Sequence, residues 1–286
     1  MSDSPEKKAR SVSIAIREAA KRLAETSDTA RLDAEVLMAQ ALGTTRSELL
    51  LRHMNDPAPA AFAGMVERRA AREPVAYITG RQEFFGLPFR VSPEVLIPRG
   101  DSEVLVEAAL AARPDARRVL DCGTGSGALL LAVLSKIPEA RGLGIDRSPG
   151  AVAIARANAE ALGLAGRAAM IEADWREPGW AGRLDGPFDL ILANPPYVEE
   201  AARLDASVRA FEPAGALFAG PEGLDDYRIL VPQLPALLAP GGAALVEIGH
   251  AQAQAVGAIG EAAGLEGVLH RDLAGRPRVL SFSLTG

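Results

Sequence analysis

The tetrapeptide Asn194-Pro195-Pro196-Tyr197 follows "FDLILA", an apolar run typical of a buried strand. Because a residue before proline is held in extended conformations, Asn194 should be rigid at the end of that strand. The prolines have fixed φ and no N–H, so the carbonyls beside them are acceptors without neighbouring donors. With the Asn194 side-chain oxygen, such a carbonyl can accept both hydrogens of one NH2 group, and Tyr197 can stack on the planar group behind it. The motif predicts a clamp for a planar amide or amine nitrogen; an ordinary Asn-Pro turn is the alternative.

A glycine-rich loop separates the predicted strand "RRVLD" from a predicted helix that begins near Ala128. Gly123, Gly125 and Gly127 can adopt positive φ and let the backbone approach a ligand, and the helix N-terminus favours an anionic group. The segment "GTGSGA" also satisfies the dinucleotide fingerprint G-x-G-x-x-G/A. The loop therefore predicts a nucleotide-type cofactor, but it does not distinguish NAD from S-adenosylmethionine. A tight strand-to-helix turn is the alternative.

Acidic residues end the next two predicted strands. Asp146 follows Asp121 by 25 positions, where a carboxylate can accept hydrogen bonds from both hydroxyls of a ribose. The alternative for Asp146 is a helix N-cap, because "DRSPG" precedes a helical segment. Asp174 can accept a hydrogen bond from an exocyclic adenine amine, and Trp175 can cover the ring. A tryptophan packed into the core is the alternative for Trp175.

Short apolar runs alternate with helical stretches from Arg117 onward, and the runs lack polar alternation. This pattern indicates an α/β fold with a mostly parallel, doubly wound sheet. Because parallel strands present their carboxyl ends at one edge, the candidate residues above are expected to share one crevice. Strands are predicted over 117–123, 141–146, 168–174, 188–194, 243–249 and 277–284, and helices over 128–137, 149–163 and 251–264.

The first part of the chain has helical periodicity instead, which predicts about four helices. The apolar positions are Ile16, Ala19, Ala20, Leu23, Ala34, Leu37, Met38, Ala41, Phe62, Met65 and Val66. Thr45 and Glu48 have the spacing of a capping box. We therefore expect a helical domain over 1–72, a linker over 73–108 and the α/β domain over 109–286. The linker is predicted to contain a hairpin that turns near Gly86-Leu87-Pro88.

The composition, 48% hydrophobic and 24% charged, is that of a globular protein. A net charge of -6 argues against non-specific tracking along nucleic acid, which needs a basic face. The single cysteine, Cys122, excludes an internal disulfide and suits a reducing cytosol. The polar start "MSDSPEKKAR" indicates no secretory signal, and no apolar run reaches the roughly 18 residues of a membrane span. Three scattered histidines and one cysteine lack metal-ligand spacing, so no metal is expected.

Asn/Asp-Pro-Pro-Tyr after the fourth strand resembles the signature of S-adenosylmethionine-dependent methyltransferases that act on planar nitrogens. From the helical region to its end, the chain resembles the HemK/PrmC family of peptide chain release factor N5-glutamine methyltransferases. The blocks that carry this resemblance include "PVAYITGRQEFFGLPFRV", "VLIPRGDSEVLVE", "DCGTGSGALLLA", "FDLILANPPYV" and "LAPGGAALVEIG". Two features depart from the family. The family's block Pro-Arg-Pro-Asp-Thr-Glu reads Pro-Arg-Gly-Asp-Ser-Glu in this sequence, with Gly100 at the third position and Ser102 at the fifth. Cys122 stands where the family usually has leucine.

The resemblance implies a Rossmann-like methyltransferase fold, with a mostly parallel seven-stranded sheet whose last strand is antiparallel. It implies methyl transfer from S-adenosylmethionine, leaving S-adenosylhomocysteine, to the glutamine of the Gly-Gly-Gln motif in bacterial class 1 release factors. It further implies a cytoplasmic enzyme that binds neither membrane nor nucleic acid directly, with the helical domain docking the release factor. A purely structural cap is the alternative for that domain.

The same resemblance implies a role for each residue of the candidate site. The cofactor would contact Gly123, Thr124, Gly125, Ser126, Gly127, Asp146, Asp174, Trp175 and Asn194. The substrate amide would contact Asn194, Pro195, Pro196 and Tyr197, of which Asn194, Pro195 and Tyr197 would be catalytic. Phe84, Phe85 and Arg99 would close the cofactor site from the linker side.

Four other functions remain open at this point. A glutamine methyltransferase for a ribosomal protein would normally lack the acidic "DSE" stretch found here. A methyltransferase for exocyclic amines of nucleic acid would use the same clamp, but the pI of ≈ 5.3 and the 5% aromatic content do not favour it. An NAD-dependent oxidoreductase would leave the Asn-Pro-Pro-Tyr motif unexplained. A non-catalytic protein that senses the cofactor would not need an intact clamp.

Overall fold

The computed structural model describes residues 10–285, which divide into two compact units. One unit comprises residues 10–80 and 205–211, and the other comprises residues 81–204 and 212–285. The first nine residues of the predicted helical domain, and with them most of the polar start, lie outside the described residues. The boundaries that we placed after residues 72 and 108 stay a prediction.

The first unit is helical, and its helices bury most of the apolar positions predicted from the periodicity, whereas Ala20, Ala41 and Met65 are partly buried against the same cluster. Its elements are α1 (Val12–Leu23), α2 (Ala30–Leu42), α3 (Arg46–Glu48) with a π-helical turn at Leu49–His53, α4 (Ala61–Ala70), α5 (Val75–Thr79) and, later in the chain, α9 (Ala206–Phe211). The capping box is confirmed: the Glu48 N–H donates to the Thr45 hydroxyl, and the Thr45 N–H donates to the Glu48 carboxylate, both at 3.2 Å. Helix α5 was not predicted because five residues hold too little of a helical period.

The predicted hairpin is present, but its turn lies one residue earlier than expected. Strands β1 (Arg81–Phe84) and β2 (Leu87–Arg90) pair antiparallel. The two turn residues are Phe85 and Gly86, with φ of 53° and 73°. Positive φ at both positions matches the twist of the flanking strands, which is why such two-residue turns suit hairpins. Leu87 and Pro88, which we expected in the turn, are the first residues of β2.

The second unit is built on a seven-stranded sheet with strand order β5-β4-β3-β6-β7-β9-β8. The strands are β3 (Arg118–Cys122), β4 (Arg141–Asp146), β5 (Ala168–Glu172), β6 (Phe188–Ala193), β7 (Leu238–Glu247), β8 (Leu265–Arg271) and β9 (Pro277–Leu284). Strands β3 to β7 pair in parallel, and β9 runs antiparallel to both β7 and β8. The seven-stranded sheet with an antiparallel last strand is therefore confirmed. The residue pattern alone missed β8, because only Leu265 of that strand is buried.

Helices cover both faces of this sheet, which explains why its strands lack polar alternation. They are α6 (Glu103–Ala112), α7 (Ala128–Lys136), α8 (Pro149–Ala161), α10 (Asp225–Leu230), α11 (Leu234–Leu237) and α12 (Ala253–Ala262). In β6, Leu190 and Leu192 join one hydrophobic cluster, and Ile191 and Ala193 join the other. Cys122 is fully buried in the second cluster, and burial raises the pKa of its thiol, as a core residue would show. Among residues 10–285, no helix combines the length and the apolar character needed to cross a bilayer.

Candidate active site

A cavity of ≈ 250 Å³ opens at the carboxyl ends of the central strands. Strand β3 lies between β4 and β6, so successive strands leave it in opposite directions at this edge. Such a switch point is where ligands bind in open α/β sheets. The cavity wall includes Gly123, Thr124, Gly125, Ser126, Asp146, Asp174, Trp175, Asn194 and Pro196 from the predicted site, together with residues of segments 93–99 and 213–216.

The glycine loop is held from beneath by short hydrogen bonds. The N–H groups of Gly123 and Thr124 both donate to the Ile145 carbonyl, at 2.9 and 2.8 Å. The Thr124 hydroxyl donates to the buried carboxylate of Asp121 at 2.7 Å. Burial raises the pKa of Asp121 to about 7, and its Oδ1 has no hydrogen-bond partner among the described residues. The loop backbone is thus fixed before any ligand arrives.

The Trp175 indole lies directly against this loop. A Cβ atom added at Gly123, which has φ of +75°, would lie 3.0 Å from Cη2 of Trp175. The indole N–H donates to Asp226 at 3.2 Å, and the ring also packs on the core cluster beneath it. Trp175 therefore packs on the core and also lines the cavity, and a contact with an adenine ring stays a prediction.

Gly127 lies behind the loop and does not form part of the cavity wall. It precedes α7 with φ of +82°, and a Cβ there would lie 3.1 Å from Leu131 and 3.3 Å from Ala155. The absence of a side chain at Gly127 therefore allows α7 and α8 to approach each other, as the third glycine of such a loop often does. A contact between Gly127 and a cofactor stays a prediction.

Asp146 lines the cavity, and it is not the cap of α8. The cap is Ser148, whose hydroxyl accepts a hydrogen bond from the Ala151 N–H at 3.2 Å. The two carboxylate oxygens of Asp146 each accept one backbone N–H, from Gly125 and from Ser148, at 2.9 Å. Burial raises the pKa of Asp146. A carboxylate has about four lone-pair sites, so further hydroxyl donors can still bind.

Asp174 belongs to a polar cluster that the sequence did not reveal. Its carboxylate accepts a hydrogen bond from the Arg176 N–H at 2.9 Å. The Arg176 guanidinium in turn holds both oxygens of the fully buried Asp226, at 2.7 and 2.8 Å. Asp226 also accepts a hydrogen bond from the Trp175 indole N–H. One buried carboxylate therefore holds two adjacent residues of the cavity wall, Trp175 and Arg176. The only sequence signal for Asp226 is its place in the block "GLDDYRIL".

The corner formed by residues 194–197 (the Asn194 corner) is fixed on the side away from the cavity. Gln252 donates to the Tyr197 carbonyl at 3.1 Å, and the Val198 N–H donates to the Leu217 carbonyl at 2.8 Å. Asn194 and Pro196 line the cavity, whereas Pro195 is buried and Tyr197 is half-buried. Within residues 10–285, no hydrogen-bond donor is found for Oδ1 of Asn194 or for the Pro195 carbonyl. Both oxygens that the sequence predicts as acceptors therefore lack a donor within the described residues, and their contact with a substrate amide stays a prediction.

A buried glutamate lies beside this corner and was missed by the sequence reasoning. Glu247 ends β7, the neighbour of β6, and the Tyr197 hydroxyl donates to its Oε1 at 3.4 Å. Burial raises the pKa of Glu247 to about 7 and also raises the pKa of Tyr197, which keeps the phenol protonated. Its only signal in the sequence is a carboxylate in the apolar strand "AALVEIG", at the edge where the other site residues lie.

The linker side of the cavity contains two of the three residues expected there. Phe84 and Arg99 line the cavity, whereas the Phe85 ring lies under Lys136, whose Nζ is 5.5 Å from the ring centroid. Arg99 forms an ion pair with the buried Glu212, and Glu212 also accepts the Ile97 N–H at 3.2 Å. This pairing fixes the segment after the hairpin against the cavity.

Comparisons with known proteins agree with this architecture. Residues 15–80 match the PrmC N-terminal domain, and residues 100–219 match the methyltransferase small domain. The release factor glutamine methyltransferase of Moorella thermoacetica is 45% identical over 275 residues, which cover 92% of this chain and 95% of that protein. The enzyme of that name from Geobacter sulfurreducens is 46% identical over 234 residues, which cover 80% of each.

Among solved structures, an O-methyltransferase family protein from Burkholderia thailandensis has the same fold. It superposes with a TM-score of 0.51 at 15% identity, and the match covers 92% of this chain and 98% of that one. At that identity the similarity concerns the fold alone. The curated relatives are 40–46% identical over most of both chains. The chain therefore belongs to the release factor glutamine methyltransferase family.

Proposed function

We propose that this protein transfers a methyl group from S-adenosylmethionine to the side-chain amide nitrogen of the glutamine in the Gly-Gly-Gln motif of bacterial class 1 release factors. S-adenosylhomocysteine is the second product. The observation that carries the proposal is a pair of oxygens without a donor among the described residues, Asn194 Oδ1 and the Pro195 carbonyl, at a corner whose Asn194 and Pro196 line the glycine-loop cavity. The names of the relatives support the same substrate. Because release factors act on ribosomes, we expect the reaction in the cytoplasm.

The residues around the cavity fit the proposed cofactor. Gly123 has no Cβ, so the loop backbone can approach a ligand closely beside Trp175. This backbone suits the methionine portion of S-adenosylmethionine. Asp146 retains acceptor sites for the ribose hydroxyls, and Asp174 with Trp175 suits the adenine. When bound, S-adenosylmethionine supplies a methyl group on a positively charged sulfonium.

The chain's own residues supply positioning and electrostatics. A glutamine amide is a poor nucleophile because its nitrogen lone pair is delocalised into the carbonyl. Asn194 Oδ1 and the Pro195 carbonyl each accept one amide hydrogen, which directs the nitrogen toward the methyl donor. The same two oxygens offset the positive charge that grows on nitrogen during transfer. Tyr197 packs on the amide plane, and the extra proton leaves after transfer.

Alignment of this kind can lower a barrier by about 7–11 kcal/mol in favourable systems. It needs a rigid corner, and the corner has fixed proline φ angles and the hydrogen bonds from Gln252 and Val198 described above. We further propose that the helical domain, over residues 1–72, docks the body of the release factor, while the linker over 73–108 joins it to the methyltransferase domain over 109–286.

The decisive experiment is mass spectrometry of a class 1 release factor after incubation with the protein and S-adenosylmethionine. We expect a single methyl group on the Gly-Gly-Gln peptide, and none on a release factor whose motif glutamine is replaced by alanine. Parallel reactions contain ribosomal protein, DNA or RNA as the acceptor. A methyl group found only on one of those acceptors, or on no acceptor, would overturn the proposal.

A further inference from the structure

The hydroxyl of Ser102 is placed to act on Asn194 and does not cap a helix. Ser102 is the last residue of the 3-10 helix Gly100–Ser102, which runs directly into α6; its φ of -72° and ψ of -11° are helical, and its side chain makes no capping hydrogen bond. A capping residue has non-helical φ and ψ, so this side chain is not expected to cap the helix. Here the side chain is buried, and its Oγ lies 3.5 Å from Nδ2 of Asn194. The hydroxyl is therefore directed toward the Asn194 corner.

Glu247 lies on the other side of Ser102 and is surrounded by a defined set of groups. The Ser102 hydroxyl lies near enough to the Glu247 carboxyl to lower its pKa against the larger effect of burial, and the Tyr197 hydroxyl donates to Oε1 at 3.4 Å. Arg278 from β9 favours the charged carboxylate, and Asp101 from the segment before α6 opposes it. From α10, the Tyr227 hydroxyl donates to the main-chain carbonyl of Glu247 at 2.9 Å. Oε2 is buried and has no partner within residues 10–285.

We propose that Ser102 and Glu247 are positioning residues that hold the Asn194 amide in the one orientation that presents Oδ1 to the substrate nitrogen. An ionised Glu247 can only accept, so the Ser102 hydroxyl donates its hydrogen bond to Glu247. The Ser102 oxygen can then act only as an acceptor toward other groups. That oxygen accepts an N–H from Nδ2 of Asn194, so the amide nitrogen faces Ser102 and Oδ1 faces the cavity. This inference rests on the proposed function, because the orientation matters only if Oδ1 receives a substrate N–H.

Protonation of Glu247 reverses the donor and acceptor roles along the hydrogen bonds that link Glu247, Ser102 and Asn194. A protonated carboxyl can donate to the Ser102 oxygen, and the Ser102 hydroxyl then donates to Asn194. The Asn194 amide would turn to place Oδ1 toward Ser102, and its NH2 would then face the NH2 of the substrate. Burial raises the pKa of Glu247 to about 7, so both states are populated near neutral pH. Activity should therefore rise with pH as Glu247 ionises.

The test compares Ser102→Ala with Ser102→Thr, which keeps a hydroxyl, and measures methyl transfer to a release factor at saturating cofactor. We expect Ser102→Ala to lower kcat by roughly 10-fold or more, while KM for the release factor and the calorimetric Kd of S-adenosylmethionine change less than about threefold. Ser102→Thr should recover most of the lost kcat. The split between kcat and KM, and the recovery by threonine, separate orientation from general packing.

A second variant, Glu247→Gln, tests the protonation step through the pH profile of kcat. We expect the profile to lose its rise near neutral pH, since glutamine does not titrate. Asp121 also titrates near neutral pH, but it is present in both proteins, so the difference between the two profiles reports Glu247. A Glu247→Gln profile identical to that of the unaltered protein would overturn the inference.

Two further results would overturn it. One is a Ser102→Ala variant with unaltered kcat, and the other is equal loss in Ser102→Ala and Ser102→Thr. If the unaltered protein methylates no release factor, the proposed function falls and this inference falls with it. Full activity of Ser102→Ala beside an active unaltered protein would remove the inference alone.

Discussion

The carboxylate of Asp146 accepts a hydrogen bond from the backbone N–H of Gly125 at 2.9 Å. This bond joins the carboxyl end of β4 to the glycine loop that follows β3, so two walls of the cavity form one unit. The second oxygen of Asp146 is anchored by the Ser148 N–H at 2.9 Å. The carboxylate therefore enters ligand binding with its orientation already set, which lowers the entropy lost on binding.

We expect Asp146→Ala to weaken the binding of S-adenosylmethionine by about 10- to 100-fold. Hydrogen bonds to a charged group contribute about 1.5–3 kcal/mol, and the variant also loses the anchor of Gly125. Isothermal titration calorimetry measures the change in Kd. Asp185→Ala is the matched control, because the Asp185 side chain is 96% exposed and lies outside the cavity wall. Equal affinities of the two variants would contradict the role of Asp146.

A methyl group at Gly123 should impair both stability and cofactor binding. The φ of +75° costs an L-residue roughly 1–2 kcal/mol, and the new Cβ would lie 3.0 Å from Cη2 of Trp175. We expect Gly123→Ala to lower the melting temperature and to abolish the rise in melting temperature that the cofactor gives to the unaltered protein. Gly166→Ala is the control, because a Cβ added at Gly166 would meet no atom within 4 Å and the backbone there has no positive φ. Thermal unfolding with and without S-adenosylmethionine distinguishes the two variants.

Asn194→Ala should separate catalysis from cofactor binding. Loss of a preorganised polar group at the reacting atoms typically lowers kcat by about 10²–10³-fold. We expect such a loss in methyl transfer, whereas the Kd of S-adenosylmethionine should rise only severalfold, because the glycine loop and Asp146 are unchanged. Single-turnover methylation and calorimetry measure the two quantities separately. Near-normal turnover in this variant would remove the clamp from the mechanism.

The cavity edge could be predicted from the sequence because each strand there ends in a chemically distinctive residue. Asp146 and Asn194 follow uninterrupted apolar runs, so the position of the strand end and the identity of the residue are both visible in a few letters. The bounds of α7, α8 and α12 were predicted within two residues for the same reason, whereas α6 was not predicted. Strand β7 begins earlier than predicted, at Leu238, because "APGG" interrupts its apolar run.

The remaining features depend on contacts between residues that are distant in the chain. Ser102 stands out in the sequence only as a departure from the family's Pro-Arg-Pro-Asp-Thr-Glu block, and only the structure shows that its hydroxyl lies beside Asn194. The carboxylate of Glu247 in an apolar strand hints at burial, but its position beside Tyr197 is not visible in the sequence. Strand β8 was missed because it is exposed over most of its length, and exposed strands lack the apolar run that identifies a strand in sequence.

The pH dependence of stability offers a test of the burial of Glu247. Its pKa is raised from the usual 4.5 to about 7, so the folded state binds more protons than the unfolded state between these values. Stability therefore falls as pH rises from about 4.5 to about 7, and the contribution of the protonated carboxyl is lost above that range. The shift corresponds to on the order of 3 kcal/mol.

We expect Glu247→Gln to remove this part of the pH dependence, because glutamine carries no proton that can be lost. The variant should be about as stable as the unaltered protein at pH 5, and more stable at pH 8 by up to about 3 kcal/mol. Urea unfolding at the two pH values measures the difference. Asp121 titrates in the same direction, so the variant should keep a residual slope. Glu266→Gln, at an exposed position of β8, is the control and should keep the full slope. An identical slope in Glu247→Gln would show that Glu247 titrates like an exposed carboxyl.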